Sequence, residues 1–518
     1  MPVPRSSYLG LLLVSAVVLA CTPTPLRGGT GTTSGDGTTS GDAAGTGAGS
    51  TSGAGTGGDS GTGGHSGTGG AGTGGAAPST CAWTKKASHA TCPNGPCPIV
   101  IDEELTCAEP YLAGSGLRVA PAPDGTWLAT TLINDHLVYR LTATAAARPD
   151  GLPKEFANTD LALAVGPDGA VHLVADTTRI SYANKHTAYL GGATHATLVN
   201  GVWSASLIRP TEGNGDHTPV VDLEVGSDGA PRAWIVSSAP FGYALATLSA
   251  GGWSLAPAAL PSGANFGTGG WNRFTLGADG SVVSLALTGP VNGYRLHALV
   301  GGADRTIGSP FAVSSAMGYS AMGYAVASPI ASTGPLFAVA LADAKGIRVV
   351  GERASAPETE SLVPGTSPPV STCVTPGLAA CNGTCHETGA GTEAGAFSLA
   401  WTDDGVAWLA YVVTALDQTL SYGVENNPGP PQCFGHVAKD SSLATLHLVR
   451  VPFDGSAATE ALVMSIERPG LQLGSLYVAP RIVDARGSGK DVAIGVRTGW
   501  DGVQHAAVRV LRVDTTKL

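Results

Sequence analysis

Asp222 and Glu224 stand two residues apart in the run Val220-Val-Asp-Leu-Glu-Val225. On an extended strand both carboxylates therefore leave the same face. Two acids so placed suit general acid–base work or calcium, and suit equally well a wall in contact with water, which is the favoured reading. Along the chain lie Asp216 and His217, then Trp271, Asn272 and Arg273, then Tyr319, Tyr324, Arg481 and Trp500. These types recur where polar ligands are held. Asp216-His217 reads first as a surface turn. Trp271 and Trp500 serve core packing as readily as stacking on a ring-shaped ligand. Sharper patterns fail. Gly487-Ser-Gly lacks the Gly-x-Ser-x-Gly spacing of a nucleophile elbow, and no Gly-x-x-x-x-Gly-Lys-Ser/Thr phosphate loop occurs. The Asp-Gly pairs lack the Asp-x-Asp-x-Asp series of a calcium loop. No catalytic residue, metal or cofactor is assigned.

Nine cysteines are present: Cys21, Cys81, Cys92, Cys97, Cys107, Cys373, Cys381, Cys385 and Cys433. An odd number in an exported chain leaves one over. Cys21 follows an apolar run from Tyr8 to Ala20, too short to span a bilayer, which reads as a signal peptide. The segment Val18-Leu-Ala-Cys21 resembles a bacterial lipobox, which implies cleavage before Cys21 and acylation of it. Thr22 in the next position implies, by the same resemblance, the outer membrane. The remaining eight cysteines suffice for four disulfides, paired within an N-terminal cluster (81 to 107) and a later one (373 to 433). Cys92-Pro-Asn-Gly-Pro-Cys97 and Cys381-Asn-Gly-Thr-Cys385 invite a zinc reading, but the spacing and an oxidising compartment favour disulfides. Which cysteine joins which stays open.

Charged residues make up only 13% of the chain and the net charge is −11, so a nucleic-acid partner, which needs a basic face, is not expected. Residues 21–80 form a Gly/Thr/Ser-rich linker. It has no large apolar run to offset the entropy of ordering, and disorder is expected there. The organisation read from the chain is a signal peptide at 1–20, the acylated cysteine and linker at 21–80, and a Cys-rich segment at 81–116 packed on a folded body at 117–518. A Cys-rich insertion falls around 366–394.

The elements that must carry the polar residues follow from a weak repeat. Leu161-Ala-Leu-Ala-Val165, Gly166-Pro-Asp-Gly169 and Val171-His-Leu-Val-Ala175 form the clearest copy: an alternating run, a turn, a second alternating run. The pattern returns at Asp124-Gly125, Asp228-Gly229, Asp279-Gly280 and Asp404-Gly405, with degenerate copies turning at Gly334 and Gly487. Asp-Gly tolerates positive φ and closes a hairpin, and period-two alternation buries one face of each strand. Outer strands open on an aromatic after a turn, as in Asn200-Gly-Val-Trp203 and Gly251-Gly-Trp253.

This arrangement resembles bacterial seven-bladed β-propeller lipoproteins with repeated x-Asp-Gly hairpins, over roughly residues 117–518. The resemblance implies an all-β chain of four-stranded antiparallel blades; two β-sandwiches are the alternative. It also places Asp216, His217, Trp271, Asn272, Arg273, Tyr319, Tyr324 and Arg481 on loops leading into inner strands. Asn134-Asp135-His136, Asp176, Asn292 to Tyr294 and Trp500-Asp501 fall on second-to-third-strand loops of the same face. Sialidase-type Ser-x-Asp-x-Gly-x-Thr-Trp boxes are missing, and Arg118, Arg273 and Arg481 match an arginine triad only loosely. Asp222, Glu224 or Asn272 match the acidic and Asn ligands of propeller lactonases by chance alone. The expectation is a monomeric cell-surface lipoprotein, membrane-bound through its anchor, that binds a protein or glycan without catalysis. The runner-up is a carbohydrate-active hydrolase or lyase with its site over the channel, and a third reading is a structural envelope component.

Overall fold

A computed structural model describes residues 81–107, 115–121, 127–133, 136–140, 161–177, 192–200, 202–210, 220–226, 228–238, 241–264, 272–277, 279–289, 294–311, 324–327, 337–343, 345–352, 359–363, 365–367, 372–425, 431–454, 456–466, 481–498 and 507–518. Residues 1–80, where the anchor and linker are expected, and the turns at Asp124 and Gly334 lie outside them. Within them the alternating runs form strands throughout.

In chain order β1 (Cys81–Lys85), β2 (Ala90–Thr91) and β3 (Ile99–Cys107) come first, followed by β4 (Ser115–Pro121), β5 (Trp127–Ile133) and β6 (His136–Arg140). Next are β7 (Leu161–Val165), β8 (Val171–Asp176), β9 (Gly192–Val199) and β10 (Val202–Pro210). The third group is β11 (Val220–Val225), β12 (Pro231–Ser238), β13 (Phe241–Ser249) and β14 (Gly252–Ala258). It is followed by β15 (Asn272–Leu276), β16 (Val282–Thr288), β17 (Tyr294–Val300) and β18 (Ala303–Phe311). Then come β19 (Tyr324–Ala327), β20 (Phe337–Asp343), β21 (Gly346–Glu352) and β22 (Thr359–Leu362). The last two groups are β23 (Thr384–Trp401), β24 (Ala407–Glu425), β25 (Gln432–Asp440), β26 (Leu443–Val451) and β27 (Thr459–Ile466), and finally β28 (Arg481–Ser488), β29 (Asp491–Thr498) and β30 (Ala507–Asp514).

The Asp-Gly turns work as the sequence demands, with the labour divided. Gly169, Gly229, Gly280 and Gly405 take positive φ of 83°, 74°, 79° and 80°, while the aspartates do not. Each aspartate instead accepts from the backbone N–H two residues on: Ala170 N to Asp168 at 3.0 Å, Ala230 N to Asp228 at 3.1 Å, Ser281 N to Asp279 at 2.9 Å. The side chain thus completes the turn that the glycine permits. In every copy the hairpin closes on the same pair: Pro121 opposite Trp127, Val165 opposite Val171, Val225 opposite Pro231, Leu276 opposite Val282, Trp401 opposite Ala407. The degenerate copy near Gly487 differs from expectation. Gly487 lies inside β28, and the reversal falls at Gly489-Lys490. Gly487 is needed for packing, since a Cβ there would strike the Trp401 carbonyl of β23.

Seven equal four-stranded blades were the expectation; five regular blades form, and two sheets depart from the pattern. β7–β10, β11–β14, β15–β18 and β19–β22 are four-stranded antiparallel meanders, and β28–β30 is extended to five strands by β3 and β1. The sheet β4–β6 has three described strands, because the residues after Arg140 lie outside the described set. The sheet of β23, β24, β26, β27 and β2 is enlarged because β23 and β24 run past the blade, where β25 pairs with the far half of β24. The first strand of every sheet packs against the first strands of two others: β4 on β7, β7 on β11, β11 on β15, β15 on β19, β19 on β23, β23 on β28, and β28 back on β4. That closed circuit is a β-propeller.

Apolar faces are buried between neighbouring sheets. Leu223, Ala233 and Ile235 pack against Val174, Ala193 and Ile208 of the preceding sheet, and Phe337 and Val339 against Leu285, Leu296 and Ile307. Each sheet is too small to cover its apolar surface alone, so burial at about 25 cal/mol per Å² is realised only by stacking in the ring. Three junctions are also stitched by polar side chains, each accepting a backbone N–H from the next inner strand. Ser398 accepts from Ala485 N at 3.2 Å, Asp484 from Val119 N at 2.9 Å, and Glu224 from Leu276 N at 2.7 Å.

Candidate functional site

The common hairpin register fixes which residues share a level around the ring axis. Counted back from the aspartate of each turn, Arg118 (against Asp124), Ala162 (Asp168), Asp222 (Asp228), Arg273 (Asp279) and Ser398 (Asp404) occupy the same position on their inner strands. Two residues later come Ala120, Ala164, Glu224, Thr275 and Ala400. Among these five strands charge falls on β4, β11 and β15, and alanine fills β7 at both levels.

Arg486 of β28 joins this group from across the ring. Its Nη2 lies 3.9 Å from Asp222 Oδ1, and its Nε 3.4 Å from Asp484 Oδ1. Asp222 Oδ1 also accepts from its neighbour's backbone, Leu223 N, at 2.8 Å. Glu224 turns toward β15, where Oε1 accepts from the Thr275 hydroxyl at 2.8 Å and Oε2 from Leu276 N at 2.7 Å. The Asp222 side chain keeps 21% of its surface exposed.

Burial pushes the Asp222 carboxyl above the usual aspartate range, against the opposing pull of Arg486, the Leu223 N–H, Arg118 and Arg273. Burial and then the charge of Asp222 push Glu224 up to about 8, against the hydrogen bonds from Thr275 and Leu276. Two acids that each disfavour the other's charge, with Arg486 near Asp222 and the charges of Arg118 and Arg273 also acting on it, make an arrangement suited to an anion or a polar ring.

Of the residues nominated from sequence, the structure brings Asp222, Glu224 and Arg273 together. Asn272, Tyr324 and Arg481 are the first residues of β15, β19 and β28, paired with Ala286, Ala340 and Arg497 rather than held in loops; their side chains lie outside the described set. His136, Asp176 and Tyr294 are likewise strand ends, not loop residues. Asp216, His217, Trp271, Tyr319 and Trp500 lie outside the described residues. Sequence reasoning missed Asp484 and Arg486, because placing the degenerate turn at Gly487 shifted that strand's phase. Aligning the repeats on their aspartates would have raised Arg118 to the level of Asp222.

Disulfides join Cys92 to Cys97, Cys373 to Cys385 and Cys381 to Cys433, all within the two clusters. No group of three or more His, Cys, Asp or Glu able to hold a metal occurs among the described residues. Nor is any described helix long and apolar enough to cross a membrane.

No family model and no curated protein matches the chain. Among solved structures it overlaps a Trypanosoma rangeli sialidase in complex with 2,3-difluorosialic acid at 10% identity, covering 80% of this chain and 92% of that one, TM-score 0.30. A luciferin-regenerating enzyme overlaps at 10% identity, 66% and 87% coverage and TM-score 0.29. A polysaccharide lyase does so at 9% identity, 82% and 90% coverage and TM-score 0.24. Likenesses this distant carry no argument about activity; the class rests on the circuit of inner strands described above.

Proposed function

We propose that this protein is a lipid-anchored propeller that displays its axial site at the cell surface and binds a glycan there without turning it over. The reading starts at Cys21, whose lipobox-like context supplies the outer-membrane anchor, and the Gly/Thr/Ser linker then lifts a monomeric domain away from the lipid. The observation that carries the binding site is the shared level of Arg118, Asp222 and Arg273 with Arg486 reaching in from β28. Convergent charged donors and acceptors on a rigid scaffold are what polar recognition needs. Non-catalytic binding is favoured because both oxygens of Glu224 are committed to Thr275 and Leu276, so the acid holds two sheets together.

A carbohydrate-active hydrolase or lyase is the second reading, because burial and the charge of Asp222 push the Glu224 carboxyl upward, the direction a general acid needs. A glycan array combined with a hydrolysis assay on the full chain separates the two. Retained glycans without cleavage support binding alone. Cleavage lost in Asp222→Asn/Glu224→Gln makes the protein an enzyme, and an empty array leaves the structural envelope role.

A further inference from the structure

The geometry points to a second site, separate from the inner strands: a hydroxyl–imidazole–carboxylate relay of Thr445, His447 and Glu460 that cleaves a short aliphatic carboxylic ester, with Thr445 as the nucleophile. It does not depend on the glycan reading. Thr445 and His447 stand two residues apart on β26, and Glu460 lies at the start of β27. Thr445 Oγ1 is 3.0 Å from His447 Nε2, and His447 Nδ1 is 2.7 Å from Glu460 Oε2. A carboxylate can only accept, so in the neutral ring Nδ1 carries the hydrogen and Nε2 is left as an acceptor. The Thr445 hydroxyl therefore donates to the imidazole, the direction in which a base draws the proton from a nucleophile. A competing acceptor, the Val413 carbonyl, stands further off at 3.5 Å. Tyr411 stacks on the imidazole, with ring centroids 5.0 Å apart and planes within 10°, and holds the ring in this orientation.

The surroundings select the substrate. Ala444, Leu446 and Leu448 of β26 are buried in the core shared with the last sheet, so Leu443, Thr445 and His447 share the opposite face. That face opens toward one end: Tyr411 is buried, Thr445 and His447 are half-buried, and Leu443 is 70% exposed. Leu443 pairs with the exposed Ala415, and beside Thr445 the two offer apolar surface that a short acyl chain can cover. Across the strand Ser465 of β27 stands directly opposite Thr445 and is exposed. Residues so paired hold their Cβ atoms about 5 Å apart, which lets the Ser465 hydroxyl donate to a carbonyl oxygen as it gains charge. In the first step Thr445 Oγ1 bonds to the ester carbonyl carbon and its proton passes to His447 Nε2. The carbon–oxygen bond to the alcohol then breaks, and the alcohol leaves with that proton. Water attacks the acyl-threonine next, giving a proton to Nε2; the acid departs as Thr445 Oγ1 takes the proton back. Glu460 accepts from Nδ1 throughout and steadies the charged ring.

Hydrolysis of p-nitrophenyl acetate and p-nitrophenyl butanoate by the full chain tests this, together with labelling by a fluorophosphonate, which bonds to an activated hydroxyl with loss of fluoride. The expected result is turnover of both esters, faster for the butanoate, with the label recovered on the peptide that contains Thr445. Thr445→Val should abolish labelling and slow turnover about a hundredfold or more, and Thr445→Ser should restore both. His447→Gln should act like Thr445→Val, Glu460→Gln should cost a smaller factor, and Leu443→Ser should erase the preference for the longer ester. Turnover no faster than in buffer, a label on another residue, or full activity in Thr445→Val overturns the inference. None of these outcomes touches the glycan site, which the array tests by itself.

Discussion

Arg509 and Asp102 lie 407 residues apart and meet in a paired ion contact, Nε to Oδ1 and Nη2 to Oδ2 both at 2.7 Å, with the two side chains only 4% exposed. Ser88 donates a third hydrogen bond to the same carboxylate at 2.7 Å. The contact pins β3 to β30 and so ties the N-terminal strands to the last sheet. Burying a charge is tolerable only with its partner in place. Asp102→Ala should therefore cost about 3–5 kcal/mol of unfolding free energy, by leaving Arg509 charged and unmatched. Asp102→Ala/Arg509→Leu should recover much of that loss. Urea melts of the two variants against the parent give the answer, and equal losses would mean that the unmatched Arg509 charge is not what destabilises Asp102→Ala.

The register of β1 and β3 sets Cys81 directly opposite Cys107. With the other three disulfides made, these two are the only cysteines beyond Cys21 left to pair. A fourth disulfide, Cys81–Cys107, should appear in non-reducing peptide mapping of the oxidised protein. Free thiols at both positions, or a link from either one to Cys21, would contradict it.

What could be read in advance followed local rules. Asp-Gly with flanking alternation marked hairpins at Asp168, Asp228, Asp279 and Asp404, because turn chemistry and strand period are both written in neighbouring residues. The grouping of the cysteines was legible for the same reason. The added strands β1 and β3 were not, because their partner β30 lies some four hundred residues further along. The long β23–β24 arm was missed as well, since Thr384 to Thr392 carries no clear alternation. At the axis, Asp222 and Glu224 were visible as a same-face pair. Asp484 and Arg486 escaped notice because their strand ends on Gly489-Lys490, a turn without the aspartate that sets the phase elsewhere.

His172 and His195 face each other on β8 and β9, with Nδ1 of the first 3.0 Å from Nε2 of the second and Trp253 edge-on to His195. Both are buried. Burial holds His172 below the usual histidine range, and burial with the neighbouring His172 pushes His195 down to about 3. Above pH 6.5 both are neutral folded or unfolded, and nothing is lost. Below 6.5 the unfolded chain binds protons that the folded one refuses, for His195 down to about 3, so stability falls on acidification, by up to ~1.4 kcal/mol per pH unit from His195 and further from His172 in the same direction. His195→Gln keeps a hydrogen-bonding side chain without a titrating one. Its denaturation midpoint should decline less steeply than the parent's between pH 6 and 4, and parallel declines would count against the pair.

Glu224 acts in the opposite direction. Its folded-state value is raised to about 8 from an ordinary 4.5, so between those limits the folded protein holds a proton that the unfolded chain has released. Stability from this group is complete below pH 4.5 and is lost as pH climbs toward 8, with a slope of at most ~1.4 kcal/mol per pH unit. Glu224→Gln removes the slope while keeping an oxygen for the Leu276 N–H, so the strap between β11 and β15 survives. The variant should match the parent near pH 5 and exceed it by a margin that widens up to pH 8, read from denaturant melts across that range. A constant difference at every pH would mean that Glu224 ionises in the folded ring as it does in water, and that the axis does not hold its proton.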